Sequence, residues 1–302
     1  MSAIFKIDTI NQVHEFYQLK SPRHPLVSVL PINDDIINFD YGNHTYVSAL
    51  YHISLKIGVS GSWGYGRNTY DFQDGTMTFI RPNQATTVES NESQRDTGGW
   101  ILLFHPDLIR KSSLSQKMKQ YNFFSYEVNE ALHLSEAEIE SVNGLINKIE
   151  SELDQNIDRH SQGLIVSNIE LLLDYCLRYY DRQFYTRTNI NQDYSTKFEH
   201  LLSEYFESEK PVEQGLPTVK YCGESLNMSP HYLSDLLKKE TGKSAQEHIY
   251  YYLIDHAKNQ LLSTNDTVSQ IAFSLGFDYS QHFSKLFKSK TGMTPVEYRN
   301  LN

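Results

Sequence analysis

Apolar residues recur in two rhythms along this chain of 302 residues. Over residues 22–105 they fall in short runs rich in Tyr, Phe, Val, Ile and Thr, with frequent glycine between them, which predicts strands and hairpins. Asp74-Gly75 reads as a tight turn, Thr76-Met-Thr-Phe-Ile80 alternates as a strand, and Pro82-Asn83 interrupts it. From residue 135 the period lengthens to three and four. Ser135 and Glu138 are spaced as a capping box, and Ile139, Val142, Ile146, Ile149 and Leu153 then form a narrow seam like that of a coiled coil. Ile165, Ile169, Leu172, Cys176 and Tyr179 fall on one side of a second amphipathic run. Residues 184–194 read as a polar linker, Ser195 to Ser208 as a further helix, and Lys210-Pro211 through Leu216-Pro217 as a break.

The last 85 or so residues contain one pattern twice. Ser234-Asp-Leu-Leu-Lys-Lys-Glu-Thr-Gly242 and Ser284-Lys-Leu-Phe-Lys-Ser-Lys-Thr-Gly292 share Ser, Leu, Lys, Thr and Gly at a constant offset of fifty, which also aligns Tyr221-Cys222 with Ile271-Ala272. Each copy has a short helix, a turn and a second helix. In the later copy Val268, Ile271, Ala272 and Leu275 form one apolar face, Gly276 permits a left-handed turn, and Tyr279-Ser280 offers a cap. Phe283, Leu286 and Phe287 are the next stripe, so Ser280, Gln281, Ser284, Lys285 and Lys288 face outward. In the earlier copy Tyr221, Cys222 and Ser225 pack, Asn227-Met228 turns, and Ser229-Pro230 supplies a cap followed by proline at the first helical position. Leu233, Leu236 and Leu237 repeat the stripe, and a last helix opens at Thr294-Pro295 with Glu297 as its capping-box partner. Two such units form one domain, whose second helices suit successive major grooves of DNA.

Those blocks resemble the AraC/XylS family of transcription regulators. The resemblance is densest over Ser269-Gln-Ile-Ala-Phe-Ser-Leu-Gly-Phe277, Phe283-Ser-Lys-Leu-Phe-Lys288 and Thr291-Gly-Met-Thr-Pro-Val-Glu-Tyr-Arg299, and extends to Leu226–Gly242 and the joining helix of Ala245–Ser263. It covers about a third of the chain. The resemblance implies double-stranded DNA as the partner, a homodimer, RNA polymerase as the contact of an activator, and a small-molecule effector held by the amino-terminal domain. An activator is the commoner outcome in the family. Its usual readers on the first recognition helix correspond here to Pro230, His231, Ser234 and Asp235, with Lys238 one turn further on. Asp235 departs from the basic residue common at its position, and Leu253 from the arginine common in the joining helix. Aspartate repels phosphate yet accepts from the cytosine amino group.

Further back, Gly75-x-Met-x-Phe-Ile-x-Pro82 is similar to the cupin-type barrel that often precedes this DNA domain. The expected fold class is α+β. Residues 1–183 form a cupin-like sensory domain whose helical hairpin (about 135–183) carries dimerisation, residues 184–194 the linker, and residues 195–302 an all-α domain with two helix-turn-helix motifs. Cupin-like barrels that hold metal use closely spaced histidines. Here His44 and His52 are eight apart and Thr86 and Thr87 stand where a further ligand would be sought, so neither a metal nor any other cofactor is expected. Trp63, Tyr65, Arg67 and Tyr70 lie among glycines and suit the mouth of a site for an anionic or sugar-like effector. Glycines most often mean turns, however, so the stretch reads first as a hairpin whose aromatics pack on the next sheet.

Composition and charge narrow the classes. The net charge is −10, unusual for a DNA binder, but residues 217–302 hold nine Lys+Arg against eight Asp+Glu, while residues 1–216 hold 18 against 29. From Ser280 to Lys290 there are three lysines and no acid, whereas Lys238 and Lys239 are offset by Asp235 and Glu240. Phosphate contact is therefore assigned mainly to the second motif. Two cysteines, Cys176 and Cys222, both sit in apolar helical patterns and read as buried thiols of a reducing cytoplasm. No secretory signal or bilayer-spanning run is expected, so no membrane partner. A barrel enzyme finds no Cys/His nucleophile pairing and no acid cluster among the glycine-rich strands. The remaining alternative is a protein-interaction scaffold whose DNA domain is vestigial.

Overall fold

The computed structural model describes residues 4–32, 45–57, 64–65, 68–69, 75–87, 98–126, 130–156, 158–186 and 188–300. It divides into two compact units, residues 1–183 and 184–302.

The first unit begins with strand β1 (Ile4–Ile7), helix α1 (Ile10–Phe16), β2 (Val27–Pro31), β3 (Thr45–Ser48) and β4 (Tyr51–Ile57). The short strands β5 (Gly64–Tyr65) and β6 (Asn68–Thr69) follow, then β7 (Gly75–Ile80), β8 (Ala85–Thr87) and β9 (Gly98–Phe104). Helices α2 (Pro106–Ile109) and α3 (Leu114–Lys117), two 3₁₀ turns and β10 (Leu132–Leu134) lead to α4 (Glu136–Asp154) and α5 (Ser161–Thr186). The strands form an antiparallel sheet in the order β10-β7-β4-β9-β2, a three-stranded sheet β1-β3-β8 in which β1 and β3 run parallel, and the pair β5-β6. The expected barrel is therefore corrected: among the described residues the sheets stay separate and no closed cupin barrel is formed. Local alternation encodes which residues are strands, but closure depends on pairing between distant strands, which a local pattern does not carry.

The alternation itself decides the packing. Ile53 and Leu55 of β4, Met77 of β7 and Leu102 and Phe104 of β9 are all fully buried on one face. That face meets the helices: the Cys176 thiol of α5 lies 3.9 Å from the Met77 sulfur, and Phe79 meets Phe123 at 4.5 Å between ring centroids. Leu30 and Leu103 face the other way and pack with Ile10 and Val13 of α1. The α4 seam residues Val142, Ile146, Ile149 and Leu153 are buried, as are Ile165, Ile169, Leu172, Cys176 and Tyr179 of α5. Both stripes are thus consumed within the unit. Ser135 N–H donates to Glu138 Oε2 at 2.9 Å, and Arg182 of α5 clasps the same carboxylate at 2.8 and 2.9 Å.

The second unit continues with α6 (Thr188–Glu207), α7 (Lys210–Gln214), α8 (Val219–Leu226), α9 (Pro230–Thr241), α10 (Ala245–Ser263), α11 (Val268–Ser274), α12 (Ser280–Thr291) and α13 (Pro295–Arg299). In the segment expected as a linker, α5 runs to Thr186 and α6 starts at Thr188. Leu253 of α10 is fully buried in a cluster with Phe206, Ala257, Leu261, Ile271, Ala272, Phe283 and Phe287. An apolar residue there serves the core. Among the described residues no helix is long and apolar enough to cross a membrane.

Candidate nucleic-acid interface

Each motif is assembled from caps. Thr218 accepts from the Tyr221 N–H at the start of α8, and Thr267 accepts from Gln270 at the start of α11, with Gln270 reaching back to the Thr267 N–H at 2.8 Å. Asn227, at φ +56°, ends α8 in the left-handed conformation. Gly276, at φ +92°, performs the same task after α11. The turn is closed in both by one backbone bond of 2.9 Å, Met228 N–H to Gly223 O and Phe277 N–H to Ala272 O. Beyond the turns, α9 and α12 end on left-handed Gly242 and Gly292, and the next helices are capped by Ser244 and Thr294.

These landmarks correct the constant offset. Thr218/Thr267, Asn227/Gly276 and Met228/Phe277 are 49 apart, whereas Gly242/Gly292 and Ser244/Thr294 are 50 apart. The second turn therefore holds one more residue: two steps lead from Asn227 to the cap Ser229, three from Gly276 to the cap Tyr279. Cys222 thus matches Ile271, and Gly223 matches Ala272.

The shorter turn explains Gly223, which the sequence reading passed over. A Cβ there would lie 2.6 Å from Met228 O and 3.4 Å from Pro230 N. The extra residue of the second turn leaves space for the fully buried Ala272. Ser225, expected to pack, is exposed, and its Oγ donates to Tyr221 O at 2.9 Å. The cap expected from Tyr279-Ser280 is in part corrected. Ser280 is the first helical residue, one position too far along, and the capping position is Tyr279, whose side chain makes no cap hydrogen bond.

The residues expected to meet DNA lie on α9 and α12. His231 and Lys238 are exposed, while Pro230, Ser234 and Asp235 are half-buried. Gln281, Lys285 and Lys288 are exposed, and Ser280 and Ser284 half-buried, with Ser284 Oγ donating to Ser280 O at 3.0 Å. On the opposite sides Leu233, Leu236, Leu237, Phe283 and Phe287 are buried. Each helix thus presents one polar face away from its core.

The first motif also carries a histidine latch. His248 of α10 is buried, with Nε2 2.7 Å from Thr241 Oγ1 at the end of α9, and burial followed by the Lys243 charge lowers its pKa from the ordinary value. The equivalent position fifty residues on is Tyr298, which meets the Phe287 ring at 5.5 Å instead. At the far end, Arg299 Nε donates to Leu261 O at 3.0 Å and holds α13 to α10.

Of the expected effector residues, Trp63, Arg67 and Tyr70 lie outside the described residues, and Tyr65 sits on β5. His44 likewise lies outside them. His52 of β4 is half-buried as a residue, yet its Nε2 is enclosed without a hydrogen-bond partner, and burial pushes its pKa down to about 4. Ser54, next on that face of the strand, is 2.6 Å from Thr78 Oγ1.

Residues 222–301 match the family model described as a helix-turn-helix domain. Among curated relatives, the uncharacterised HTH-type transcriptional regulator YobQ of Bacillus subtilis strain 168 is 37% identical over 83 residues, 28% of this chain and 34% of that protein. The HTH-type transcriptional activator RhaR of Escherichia coli K12 is 31% identical over 83 residues, 28% of this chain and 29% of that protein. The solved C-terminal domain of the two-component response regulator yesN from Fusobacterium nucleatum is 29% identical over 34% of this chain and 97% of that one, with a TM-score of 0.30. The chain spans about a third of the length of the curated relatives named here. Over residues 222–301 it carries a helix-turn-helix domain.

Proposed function

We propose, starting from that helix-turn-helix domain and its resemblance to the AraC/XylS family, that the chain is a sequence-specific DNA-binding transcription regulator whose two recognition helices, α9 and α12, enter successive major-groove faces about one turn, roughly 34 Å, apart. The observation that carries this reading is the pair of complete motifs, the second offering Lys285 and Lys288 on an exposed face that has no acid. In this division α12 anchors on phosphate through Lys285 and Lys288, with Ser280, Gln281 and Ser284 beside them. Helix α9 supplies sequence choice through Pro230, His231, Ser234 and Asp235, with Lys238 on its flank. Exchange of Asp235→Ala tests that choice: relaxed preference at one base pair supports it, and uniform tightening across operator variants contradicts it. The function itself is tested by selecting duplexes from a random library with the full chain and following the winner's affinity against salt.

Residues 1–183 are read as the sensory unit, 184–194 as the connection and 195–302 as the DNA-binding unit, in a cytoplasmic protein. The enclosed His52 Nε2, which has no hydrogen-bond partner, and the Ser54 and Thr78 hydroxyls on the same face of the sheet support a polar effector site in the first unit. An effector would shift the population of conformers that hold the DNA-binding unit. Because the two apolar stripes of α4 and α5 are used internally, the homodimer is assigned to the opposite side of α5, where Leu164 and Leu171 are 51% and 45% exposed. A monomeric sedimentation mass at micromolar concentration contradicts the dimer. Activation through RNA polymerase completes this reading, since RhaR is an activator. Binding that is flat across all sequences would favour the scaffold instead.

A further inference from the structure

The two recognition helices open differently, and the difference lies on the surface. Ser229, the cap of α9, is buried, and its Oγ accepts from the Tyr232 N–H. Tyr232, three residues on, is buried with its ring 5.0 Å from that of Phe184. At the matching positions α12 has Tyr279, 64% exposed, and His282, also exposed. Their rings meet edge to face with centroids 5.5 Å apart. Among the described residues the Tyr279 hydroxyl has no hydrogen-bond partner. Folding alone does not call for this arrangement. A serine in the capping position stabilises a helix and a tyrosine does not, and a tyrosine so exposed adds little to a core.

Helical geometry says what the pair borders. At about 100° per residue, His282 lies about 60° to one side of Lys285, whereas Gln281, Ser284 and Lys288 lie on the other side. The Tyr279–His282 pair therefore flanks the face assigned to base and phosphate contact, at the end of the helix that enters the groove first. A group on that flank meets the wall of the groove, which is the sugar–phosphate backbone. Tyrosine hydroxyls are among the usual donors to phosphate oxygen. The extra residue of the second turn sets the tyrosine in this place, and the buried Ser229 and Tyr232 leave no such group on α9.

We propose that Tyr279, held edge-on by His282, donates its phenolic O–H to a phosphate oxygen beside the groove occupied by α12, fixing the register of that helix without reading a base. This rests on the DNA-binding reading, and the experiment separates the two. The full chain and its Tyr279→Phe variant are measured on the selected duplex and on single-base variants of it. Loss of the hydroxyl alone should weaken binding by about fivefold on every duplex. Base preference stays the same, and so does the salt slope, because no charge is removed. Tyr279→Ser should raise the melting temperature, by restoring a cap, while weakening binding, a pair of opposite signs that a merely structural tyrosine would not give. His282→Ala should reproduce part of the loss and His282→Phe, which keeps an aromatic edge, should recover it. Wild-type binding by Tyr279→Phe overturns the contact, as does a loss confined to one base pair. A wild-type chain that selects no duplex fails the function itself, before any variant is read.

Discussion

The two helix-turn-helix motifs share caps, apolar stripes and left-handed terminators, yet they differ at the turn, at the mouth of the recognition helix and in charge. The first is tight, with its turn backbone against Gly223, its cap buried and its lysines accompanied by Asp235 and Glu240. The second is one residue longer, has room for Ala272, exposes Tyr279 and His282, and carries three lysines with no acid from Ser280 to Lys290. A repeated unit thus keeps what its core requires and varies what faces outward. The difference teaches where to look for divided labour: choice of sequence at the first motif, grip at the second.

The largest effect expected from breaking this comparison is at Gly276. Its φ of +92° disfavours any side chain, and a Cβ would lie 2.7 Å from Pro211 O and from Gly215 C. Gly276→Ala should destabilise the second motif by about 3 kcal/mol, seen as a lower urea midpoint of the carboxy-terminal transition. Gly223→Ala comes next, at about 2 kcal/mol, because the backbone conformation suits alanine and only the contact with Met228 O must yield. If both cost nothing, the two turns are not as closely packed as described. Replacing both Lys285 and Lys288 by alanine should flatten the dependence of log affinity on log salt by about 2. Lys238→Ala alone should change it by about 1 or less. Equal slopes for the two motifs would remove the assignment of grip to the second.

The smallest effect is a matter of pH and concerns only the first motif. His248 faces Thr241, Lys243, Glu199, Glu247 and the Phe198 ring, and its folded pKa lies below the ordinary 6.5. The unfolded chain then binds more protons as pH falls below 6.5, so stability declines through that window and levels off only beneath the folded pKa. His248→Gln keeps a hydrogen-bonding group for Thr241 and should lessen the fall in urea midpoint between neutral pH and about pH 5.5. An unchanged fall would mean that the latch does not titrate in the fold. The matching place in the second motif holds Tyr298 rather than a histidine.

Much of this was legible because helices advertise themselves locally. The stripes Leu233-Leu236-Leu237 and Phe283-Leu286-Phe287, the left-handed Gly276 and the Ser229-Pro230 start are all written within a few residues of where they act. The extra residue of the second turn was hidden, because the five identical positions all follow the turn and impose an offset of fifty on everything before it. The twin caps Thr218 and Thr267, 49 apart, were the signal that would have exposed it. The dipeptide Tyr279-Ser280 marked the start of α12, but not which of its two residues holds the capping position. In the first unit the alternation of Thr76-Met-Thr-Phe-Ile80 foretold β7, but its partners β4 and β10 are set by distant pairings. The seam of α4 was legible as an apolar face, while its use against the sheet rather than a second copy depends on tertiary packing.

The most direct test of the account is selection from a random duplex library by the full chain, repeated with the Lys285→Ala/Lys288→Ala variant. The account predicts a site of two half-elements about 10 base pairs apart, with a negative salt slope, and a variant that loses grip while still preferring the element read by α9. A single short element, or affinity independent of sequence in the wild-type chain, would contradict it.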